Sequence, residues 1–393
     1  MKYVRSMALL CAVLCILTLS FSTIFVKADG KSEAELIQPA DFTVNAKSAV
    51  LMEAKTGTVL FAQNEQQALP PASVTKIMTL LLVMEAVDSG RIALTDTVCI
   101  SANAASMGGS QVFLEEGERM TVEELLKCTV IASANDAAVA LAEHVAGSEN
   151  AFVSQMNARA KELGLTSTAF ENTTGLDDTV TRHLTSAYDI AVMTKELLTH
   201  GTILKYSSLW QDTIRDGAFT LTNTNRLVRY YDGCNGMKTG STDAAGFCVS
   251  ATAERDGMTL IAVVMGADTR DSRNAIAKNL LDYGFSTYAL YECPAAQVDK
   301  APVLGGVSPC VPLTCPSFCR VIPKGSVGNV EEVYELPEAL RAPIESGETV
   351  GKKTYLLNGA VIGECPVVTA DAVEKISLLD IFVRFLTAMF CET

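Results

Sequence analysis

Two pairs of short apolar runs along the chain have the pattern of β-hairpins. The first pair, residues 48–52 and 58–62, flanks a polar segment that ends in Gly57, a residue suited to a tight turn. The second pair, residues 246–253 and 258–265, is joined by Glu254-Arg255-Asp256-Gly257. Because these runs are short and bounded by turn residues, they favour strands over helices. We therefore predict two hairpins that lie far apart in the sequence.

Most apolar positions between the hairpins recur at helical spacing. The pattern extends from Ile77 to about Ile131, and within it Thr121 and Glu124 have the spacing of an N-terminal capping box. Residues 185–189 open a further helix, and residues 271–290 have the pattern of another. We predict that these helices and the hairpins form one domain over residues 29–290.

The composition changes after residue 290. Nine of the 12 prolines fall between Pro294 and Pro366, among short β-branched runs, and we predict a small β-rich domain over residues 291–372. The last segment, residues 373–393, has apolar residues at helical spacing. Its apolar stretch is too short to cross a bilayer but suits a helix lying in the membrane surface. Packing of this helix against its own domain, or against a partner, is the alternative.

The N-terminus has the pattern of an export signal. Lys2 and Arg5 precede an apolar run over residues 7–26, and Val26-Lys27-Ala28 is a small-residue cleavage site. We predict a signal peptide over residues 1–28 and a location outside the cytoplasm. The run is long enough to span a bilayer, so an uncleaved anchor is the alternative.

Charge and cysteine content narrow the range of partners. The chain carries 31 Lys and Arg against 45 Asp and Glu, a net charge of -14, and has no basic run, so we expect no nucleic-acid partner. Cys310, Cys315 and Cys319 could hold a metal, but no C-x-x-C pair or nearby His accompanies them. We expect buried thiols or one or two disulfides here, and no metal site.

Ser73 and Lys76 form the first motif with catalytic chemistry. A Ser three residues before a Lys, at the start of an apolar helical run, places hydroxyl and amine on one helix face. Such a lysine can act as the base for the serine if burial or a second cation lowers its pKa. Free N–H groups at the helix N-terminus could also hold an oxyanion. A capped helix start is the simpler interpretation of this pattern taken alone.

Two further motifs indicate catalytic chemistry only in combination with Ser73 and Lys76. Ser133 and Asn135 lie at the entry to a helix, where they could point a hydroxyl and an amide into one cleft or simply cap the helix. The sequence Lys238-Thr239-Gly240 lies on a strand beside the second hairpin. Its glycine could allow another backbone, such as a bound peptide, to approach the strand closely, or it could simply mark the end of the strand. The set S-x-x-K, S-D-N and K-T-G is a signature of class A β-lactamases and penicillin-binding proteins.

A polar loop over residues 170–178 is of the kind that often borders a functional site. His183 follows this loop closely. We interpret this lone histidine as a surface residue rather than a catalyst.

With these motifs the chain resembles the low-molecular-mass penicillin-binding proteins that act as serine-type D-alanyl-D-alanine carboxypeptidases. The resemblance covers nearly the whole chain, and the sequences that carry it are Pro-Ala-Ser73-Val-Thr-Lys76, Ser133-Ala-Asn135, Asn172-Thr-Thr-Gly-Leu176 and Gly236-Met-Lys238-Thr-Gly240. It implies an α+β fold with a β-lactamase/transpeptidase-like domain, in which helices and an inserted helical lobe flank a five-stranded antiparallel sheet. A small β-rich domain and a C-terminal amphipathic helix follow.

The resemblance also implies partners and residue roles. The partners are peptidoglycan stem peptides at the outer face of the cytoplasmic membrane, and β-lactam antibiotics as covalent inhibitors, with no cofactor. Ser73 would be the acylated nucleophile, Lys76 its base and Ser133 a proton relay. The residues implied for substrate binding are Asn135, Lys238, Thr239, Gly240 and Ser241. Among these the asparagine would bond the substrate backbone, the lysine and threonine would hold its terminal carboxylate, and the N–H groups of residues 73 and 241 would form the oxyanion hole.

One position departs from the signature, and three alternatives stay open. Ala134 stands where the signature has Asp, but a side chain between Ser and Asn should point away from the cleft, so we expect little effect on catalysis.

A class A-type β-lactamase, the first alternative, would need a carboxylate to activate the deacylating water, for which Glu171 is the nearby candidate. A non-catalytic penicillin-sensing or wall-binding protein is the second alternative. A Ser-His-Asp hydrolase is the weakest, because the chain has no G-x-S-x-G sequence.

Overall fold

The computed structural model describes residues 40, 42–177 and 181–391. The predicted signal peptide lies outside the described residues. The described chain forms two compact units, a larger one that contains the residues up to Lys300 together with Pro312–Gly328, and a smaller one that contains Ala301–Val311 and the residues from Asn329 onward. The predicted domain boundaries at residues 28, 290 and 372 stay predictions.

The larger unit alternates strands and helices along the chain. Up to residue 207 its elements are β1 (Ser48–Glu53), β2 (Val59–Gln63), a 3₁₀ helix (Ala72–Thr75), α1 (Lys76–Asp88), β3 (Thr97–Cys99), α2 (Ala102–Ala105), β4 (Arg119–Thr121), α3 (Val122–Ile131), α4 (Asn135–Ala146), α5 (Glu149–Glu162), α6 (Ala187–Leu198) and α7 (Leu204–Ser207). The elements that follow are β5 (Gln211–Ile214), β6 (Phe219–Thr222), α8 (Leu227–Tyr230), β7 (Cys234–Thr242), β8 (Gly246–Arg255), β9 (Met258–Ala267), α9 (Arg270–Thr287) and β10 (Tyr288–Cys293).

A five-stranded antiparallel sheet organises the larger unit, as predicted. Its strand order is β2-β1-β9-β8-β7, so the two predicted hairpins, β1–β2 and β8–β9, are joined through the pairing of β1 with β9. Every residue of β1 is buried, because it lies between β2 and β9. Strand β7, which carries Lys238, forms one edge of the sheet.

The sheet separates two hydrophobic cores. Successive residues of a strand point to opposite faces, and accordingly Val50 and Met52 lie in one core while Ala49 and Leu51 lie in the other. The first core contains buried residues of α1 to α7, which include the predicted helical lobe, whereas Leu227 of α8 lies in the second core. The second core is closed by α9, predicted at residues 271–290.

The segment predicted as mostly helical, from Ile77 to Ile131, is only partly so. It contains α1 and α3, but the chain between them includes the short antiparallel pair of β3 with β4. Gly90, Gly109 and Gly117 adopt positive φ angles in this stretch. Because glycine adopts such angles readily and weakens a helix, these residues interrupt the helical pattern.

The smaller unit and the chain leading into it are rich in strands, as predicted. The elements after β10 are β11 (Ala296–Leu304), β12 (Cys310–Cys315), β13 (Phe318–Pro323), β14 (Val330–Glu335), β15 (Leu340–Arg341), β16 (Thr349–Leu357), β17 (Ala360–Thr369) and α10 (Leu378–Cys391). Within the smaller unit β14, β16 and β17 pair antiparallel in that order, and β11 pairs with β15 in parallel. Cys310 and Cys319 carry free thiols, and Cys315 is buried.

The terminal helix α10 leaves its apolar side chains exposed. Leu379, Phe382 and Phe385 are among several large apolar residues of this helix that contact solvent. Over the part of the chain that the structure describes, no helix has the length and apolar character needed to cross a membrane.

The capping box predicted before α3 is present and provides a test of this part of the fold. The hydroxyl of Thr121 accepts a hydrogen bond from the Glu124 N–H, and the Glu124 carboxylate accepts one from the Thr121 N–H. Thr121→Ala should therefore lower the free energy of unfolding by about 1 kcal/mol, measured by urea or thermal denaturation. Ser154→Ala, at an exposed position within α5, is the control and should have little effect. Equal stability of the two variants would contradict a stabilising cap.

Candidate active site

Ser73 lies in the 3₁₀ turn that leads into α1, and Lys76 is the first residue of that helix. Lys76 Nζ is 3.0 Å from Ser73 Oγ. The spacing of three residues thus brings hydroxyl and amine together as predicted, although Ser73 occupies the tighter turn rather than the α-helix itself. The residue before it, Ala72, has a φ of 49°.

The surroundings of Lys76 suit a neutral amine. Its side chain is fully buried, and its Nζ also contacts Asn135 Oδ1 at 2.6 Å and the Thr174 carbonyl at 2.8 Å. Burial lowers the pKa of Lys76 well below its ordinary value, and the positive charge of Lys238 lowers it further, against a smaller opposing effect of Asp136. A neutral amine has two hydrogens for these two oxygens, which leaves its lone pair for the serine hydroxyl.

Ser133 lies between α3 and α4, and Asn135 is the first residue of α4. Ser133 has a φ of 62° and its Oγ accepts a hydrogen bond of 2.7 Å from Lys238 Nζ. Asn135 contacts Lys76 through its amide oxygen and donates through Nδ2 to the Gly108 carbonyl. The N-cap of α4 is Ala134, and the first-turn N–H of Ala137 donates to the Asp136 carboxylate rather than to Ser133 or Asn135. The helix-cap alternative for Ser133 and Asn135 is therefore excluded, and the buried Ala134 side chain lies in the hydrophobic core.

The edge strand β7 supplies the third motif. Lys238 is 1% exposed, and its Nζ donates to Ser133 Oγ and to the Thr239 carbonyl. Burial, followed by repulsion from Arg273, lowers the pKa of Lys238 to about 7. Thr239 Oγ1 donates to Thr224 Oγ1.

Gly240 is needed because the turn that carries Ser73 lies directly against β7. A Cβ added at Gly240 would lie 2.7 Å from the Ser73 nitrogen and 2.9 Å from the Val74 nitrogen, both backbone atoms. A side chain at position 240 would therefore displace the serine. Ser241, the next residue of the strand, is exposed.

These motifs border a cleft of about 600 Å³. Ser73, Ser133, Thr239, Gly240 and Ser241 line it, while Lys76, Asn135 and Lys238 lie buried behind its surface. The lining residues that the sequence analysis missed include Ser110, Trp210, Arg226, Tyr230, Arg270 and Arg273.

Arg226, Arg270 and Arg273 make this cleft strongly cationic. Arg273 is 3% exposed, and burial together with the neighbouring Arg270 lowers its pKa to about 10. Within the described part of the chain none of the lining residues is acidic. Because Arg226 precedes α8 and the other two lie in α9, all outside the three motifs, no sequence signal identified them.

His183 is not the surface residue that the sequence analysis predicted. It is 5% exposed, and its ring packs edge-on against Phe170. Backbone bridges between Ala169 and Leu184 and between Leu69 and Thr185 draw its loop into the domain. Its Nε2 lies 2.7 Å from Thr75 Oγ1, and its Nδ1 accepts a hydrogen bond from the Glu171 N–H. A single histidine in a polar loop carries no signal of such burial.

Comparison with known proteins agrees with this geometry. The D-alanyl-D-alanine carboxypeptidase family profile matches residues 33–269, and that of the C-terminal domain of penicillin-binding protein 5 matches residues 285–375. The chain is 43% identical over 378 residues to the D-alanyl-D-alanine carboxypeptidase DacF of Bacillus subtilis, covering 94% of this chain and 95% of that protein.

Solved structures show the same similarity. Penicillin-binding protein 5 from Haemophilus influenzae superimposes with a TM-score of 0.75 at 32% identity, covering 86% of this chain and 99% of that one. Penicillin-binding protein D2 from Listeria monocytogenes, solved in an ampicillin-bound form, gives a TM-score of 0.58 at 30% identity and covers 63% of this chain and 99% of that one.

A serine beside a buried lysine, at the edge of an antiparallel sheet flanked by helices, is the arrangement expected of a serine-type hydrolase. The chain belongs to the D-alanyl-D-alanine carboxypeptidase family, within its low-molecular-mass penicillin-binding proteins.

The burial of His183 predicts a specific dependence of stability on pH. Burial lowers the pKa of His183 from 6.5 to about 4, although the charges of Glu171 and Asp177 oppose this. As pH falls from 6.5 to 4 the unfolded chain binds a proton that the folded chain does not. This histidine should therefore reduce the free energy of unfolding by roughly 3 kcal/mol over that interval.

Denaturation of the wild type and of His183→Gln, which does not titrate, measures this contribution. The wild type should lose more stability than the variant between pH 6.5 and 4. Parallel pH profiles would show that the histidine is not buried as a neutral ring.

Proposed function

We propose that this protein removes the terminal D-alanine from peptidoglycan pentapeptide stems through an acyl-enzyme on Ser73. The serine Oγ attacks the carbonyl before the last D-alanine while its proton passes to Lys76. The C–N bond then breaks, D-alanine leaves with a proton, and water hydrolyses the ester to release the shortened peptide and restore the serine.

The contact between Lys76 Nζ and Ser73 Oγ, at 3.0 Å, carries this proposal. A serine hydroxyl is a weak nucleophile at neutral pH and needs a base within hydrogen-bond reach. Lys76 meets both requirements, since it touches the hydroxyl and its lowered pKa makes the neutral amine accessible. Its two other contacts, to Asn135 Oδ1 and the Thr174 carbonyl, hold that amine in place.

Ser133 and Lys238 are proposed to move the proton to the leaving group. Lys238 Nζ donates to Ser133 Oγ, whose hydroxyl lines the cleft. Since the pKa of Lys238 is lowered to about 7, a proton can be exchanged there near neutral pH. Ser133 would then donate its own proton to the departing amine and recover one from the lysine.

The remaining site residues are proposed to bind substrate. Asn135 Nδ2 has a second hydrogen beyond the one given to Gly108, and this hydrogen can bond a substrate carbonyl. Lys238 and Thr239 would attract the terminal carboxylate that distinguishes a chain end from a mid-chain peptide. The N–H groups of Ser73 and Ser241 would hold the oxyanion, and Gly240 allows the first of these to lie against β7.

Acylation by β-lactams follows from the same chemistry. A β-lactam resembles the D-alanyl-D-alanine end and carries a carboxylate suited to this cationic cleft, and the Listeria relative was solved with ampicillin bound. The β-lactamase alternative is not favoured. Glu171, its candidate for activating water, accepts hydrogen bonds from the N–H groups of Thr181 and Arg182 instead.

Export and attachment to the membrane surface complete the proposal. Residues 1–28 have the sequence of a signal peptide, and the substrate lies outside the cytoplasmic membrane. Helix α10 exposes a row of large apolar side chains but carries only Asp380 and Arg384 as charged residues. Apolar insertion into the membrane surface rather than charge attraction would therefore hold the enzyme near its substrate.

Replacement of the nucleophile tests the catalytic assignment. Ser73→Ala should abolish covalent labelling by fluorescent penicillin, because no oxygen remains to form the ester. Intact-mass analysis with mapping of the modified peptide measures this, and Ser154→Ala serves as the exposed-serine control. A label that persists in Ser73→Ala would reject this residue as the nucleophile.

Changes in α10 test the attachment. Deletion of residues 378–393 should move the mature protein from the membrane pellet to the supernatant. Phe382→Asp, on the apolar face, should weaken sedimentation with lipid vesicles, whereas the matched change Thr387→Asp should not, although both positions are exposed. Equal sedimentation of all forms would refute the anchor.

A further inference from the structure

The backbone just before the nucleophile is strained, and a contact from its own turn restrains it. Ala72 has a φ of 49°, a conformation that a residue with a side chain rarely adopts. Such conformations persist only where the surroundings enforce them. The Ala72 carbonyl accepts a hydrogen bond of 2.8 Å from the hydroxyl of Thr75. Any loss of this contact would let Ala72, and with it Ser73, relax.

The loop after α5 packs against the same carbonyl. A Cβ added at Gly175 would lie 1.8 Å from the Ala72 oxygen, so only glycine fits there. One turn further along α1, Thr79 Oγ1 donates to the Thr173 carbonyl. The turn that carries Ser73 therefore contacts this loop through backbone atoms as well as through side chains.

His183 connects the loop to Thr75, and its contacts fix its tautomer. Its Nδ1 faces the Glu171 N–H, which can only donate, so this nitrogen carries no hydrogen in the neutral ring. The hydrogen is consequently on Nε2, which donates to Thr75 Oγ1 over 2.7 Å. The Thr75 hydroxyl, having accepted there, directs its own hydrogen to the Ala72 carbonyl. A chain of three directed hydrogen bonds thus runs from Glu171 to the residue before Ser73.

We propose that His183 is a positioning residue for the carboxypeptidase reaction, holding Ser73 in its reactive orientation through Thr75 and the Ala72 carbonyl. The inference rests on the proposed role of Ser73 as nucleophile. His183 is buried and its two ring nitrogens are both engaged within the protein, so it acts on the reaction through the turn rather than by touching substrate.

Two substitutions separate this role from simple stabilisation of the loop. In His183→Gln the side-chain amide can place a donor near the original Nε2 and so keep the bond to Thr75, while the Glu171 N–H loses its acceptor. In His183→Asn the amide oxygen can take the place of Nδ1, but nothing reaches Thr75. Thr75→Ser and Thr75→Val form a second pair, which keeps or removes the hydroxyl without changing the histidine.

The experiment measures acylation by fluorescent penicillin in stopped flow, separating the maximal acylation rate constant from the non-covalent dissociation constant, and records each melting temperature. His183→Asn and Thr75→Val should lower the maximal rate constant by about 10- to 100-fold, since small displacements of a reacting atom have effects of this size. His183→Gln and Thr75→Ser should stay within about threefold of the wild type. The dissociation constant should change little in all four variants.

Thr194→Val is the matched control. It removes a buried threonine hydroxyl from α6, where that group contacts Ser250, and should lower the melting temperature without slowing acylation. Acylation rates that follow melting temperature across the five variants, or that are equal in all of them, would overturn the proposal. If a His183 variant does not fold, the difference in maximal acylation rate constant between Thr75→Ser and Thr75→Val tests the proposal without it. Failure to acylate wild-type Ser73 would instead refute the proposed function.

Discussion

The site depends on two lysine side chains being buried close together. Removing an ammonium group from water costs several kcal/mol unless it is compensated, and a second positive charge nearby adds repulsion. Both effects favour the neutral form, so the fold itself lowers the pKa of Lys76 and, to about 7, that of Lys238. The reactivity proposed for Ser73 is thus a consequence of where the two lysines are buried. The surrounding oxygens of Asn135 and Thr174 then orient the amine.

The sheet and the helical lobe together make this burial possible. The serine and its lysine follow hairpin β1–β2, whereas Lys238 lies on the edge strand β7, and the pairing of β1 with β9 joins these distant segments in one sheet. Helix α4 then brings Asn135 from the lobe. Gly175 and Gly240 allow the loop after α5 and strand β7 to contact the turn that carries Ser73, because a Cβ at either position would overlap main-chain atoms of that turn. The close packing that places the reactive groups therefore depends on the absence of two side chains.

The charge of the cleft contrasts with that of the chain. The protein carries a net charge of -14, yet Arg226, Arg270 and Arg273 line the cleft beside the buried Lys238. A cleft lined by positive charge attracts anionic groups even though the protein as a whole is acidic. Arg273 also lowers the pKa of Lys238. The carboxylate recognition and the base activation proposed for this site would thus have the same electrostatic origin.

The sequence by itself determined several local elements and the three motifs that meet in the cleft. Short apolar runs bounded by turn residues predicted both hairpins, and Thr121 and Glu124 predicted the cap of α3, because these patterns depend on neighbours within a few residues. The three motifs predicted that Ser73, Lys76, Ser133, Asn135 and Lys238 face one cleft. The resemblance of those motifs to a family supplied the five-stranded sheet. Only the tertiary structure decided that His183 is buried against Thr75, in the turn that carries Ser73, and that three arginines line the cleft. Burial and electrostatic environment arise from segments far apart in the chain, and no local pattern encodes them.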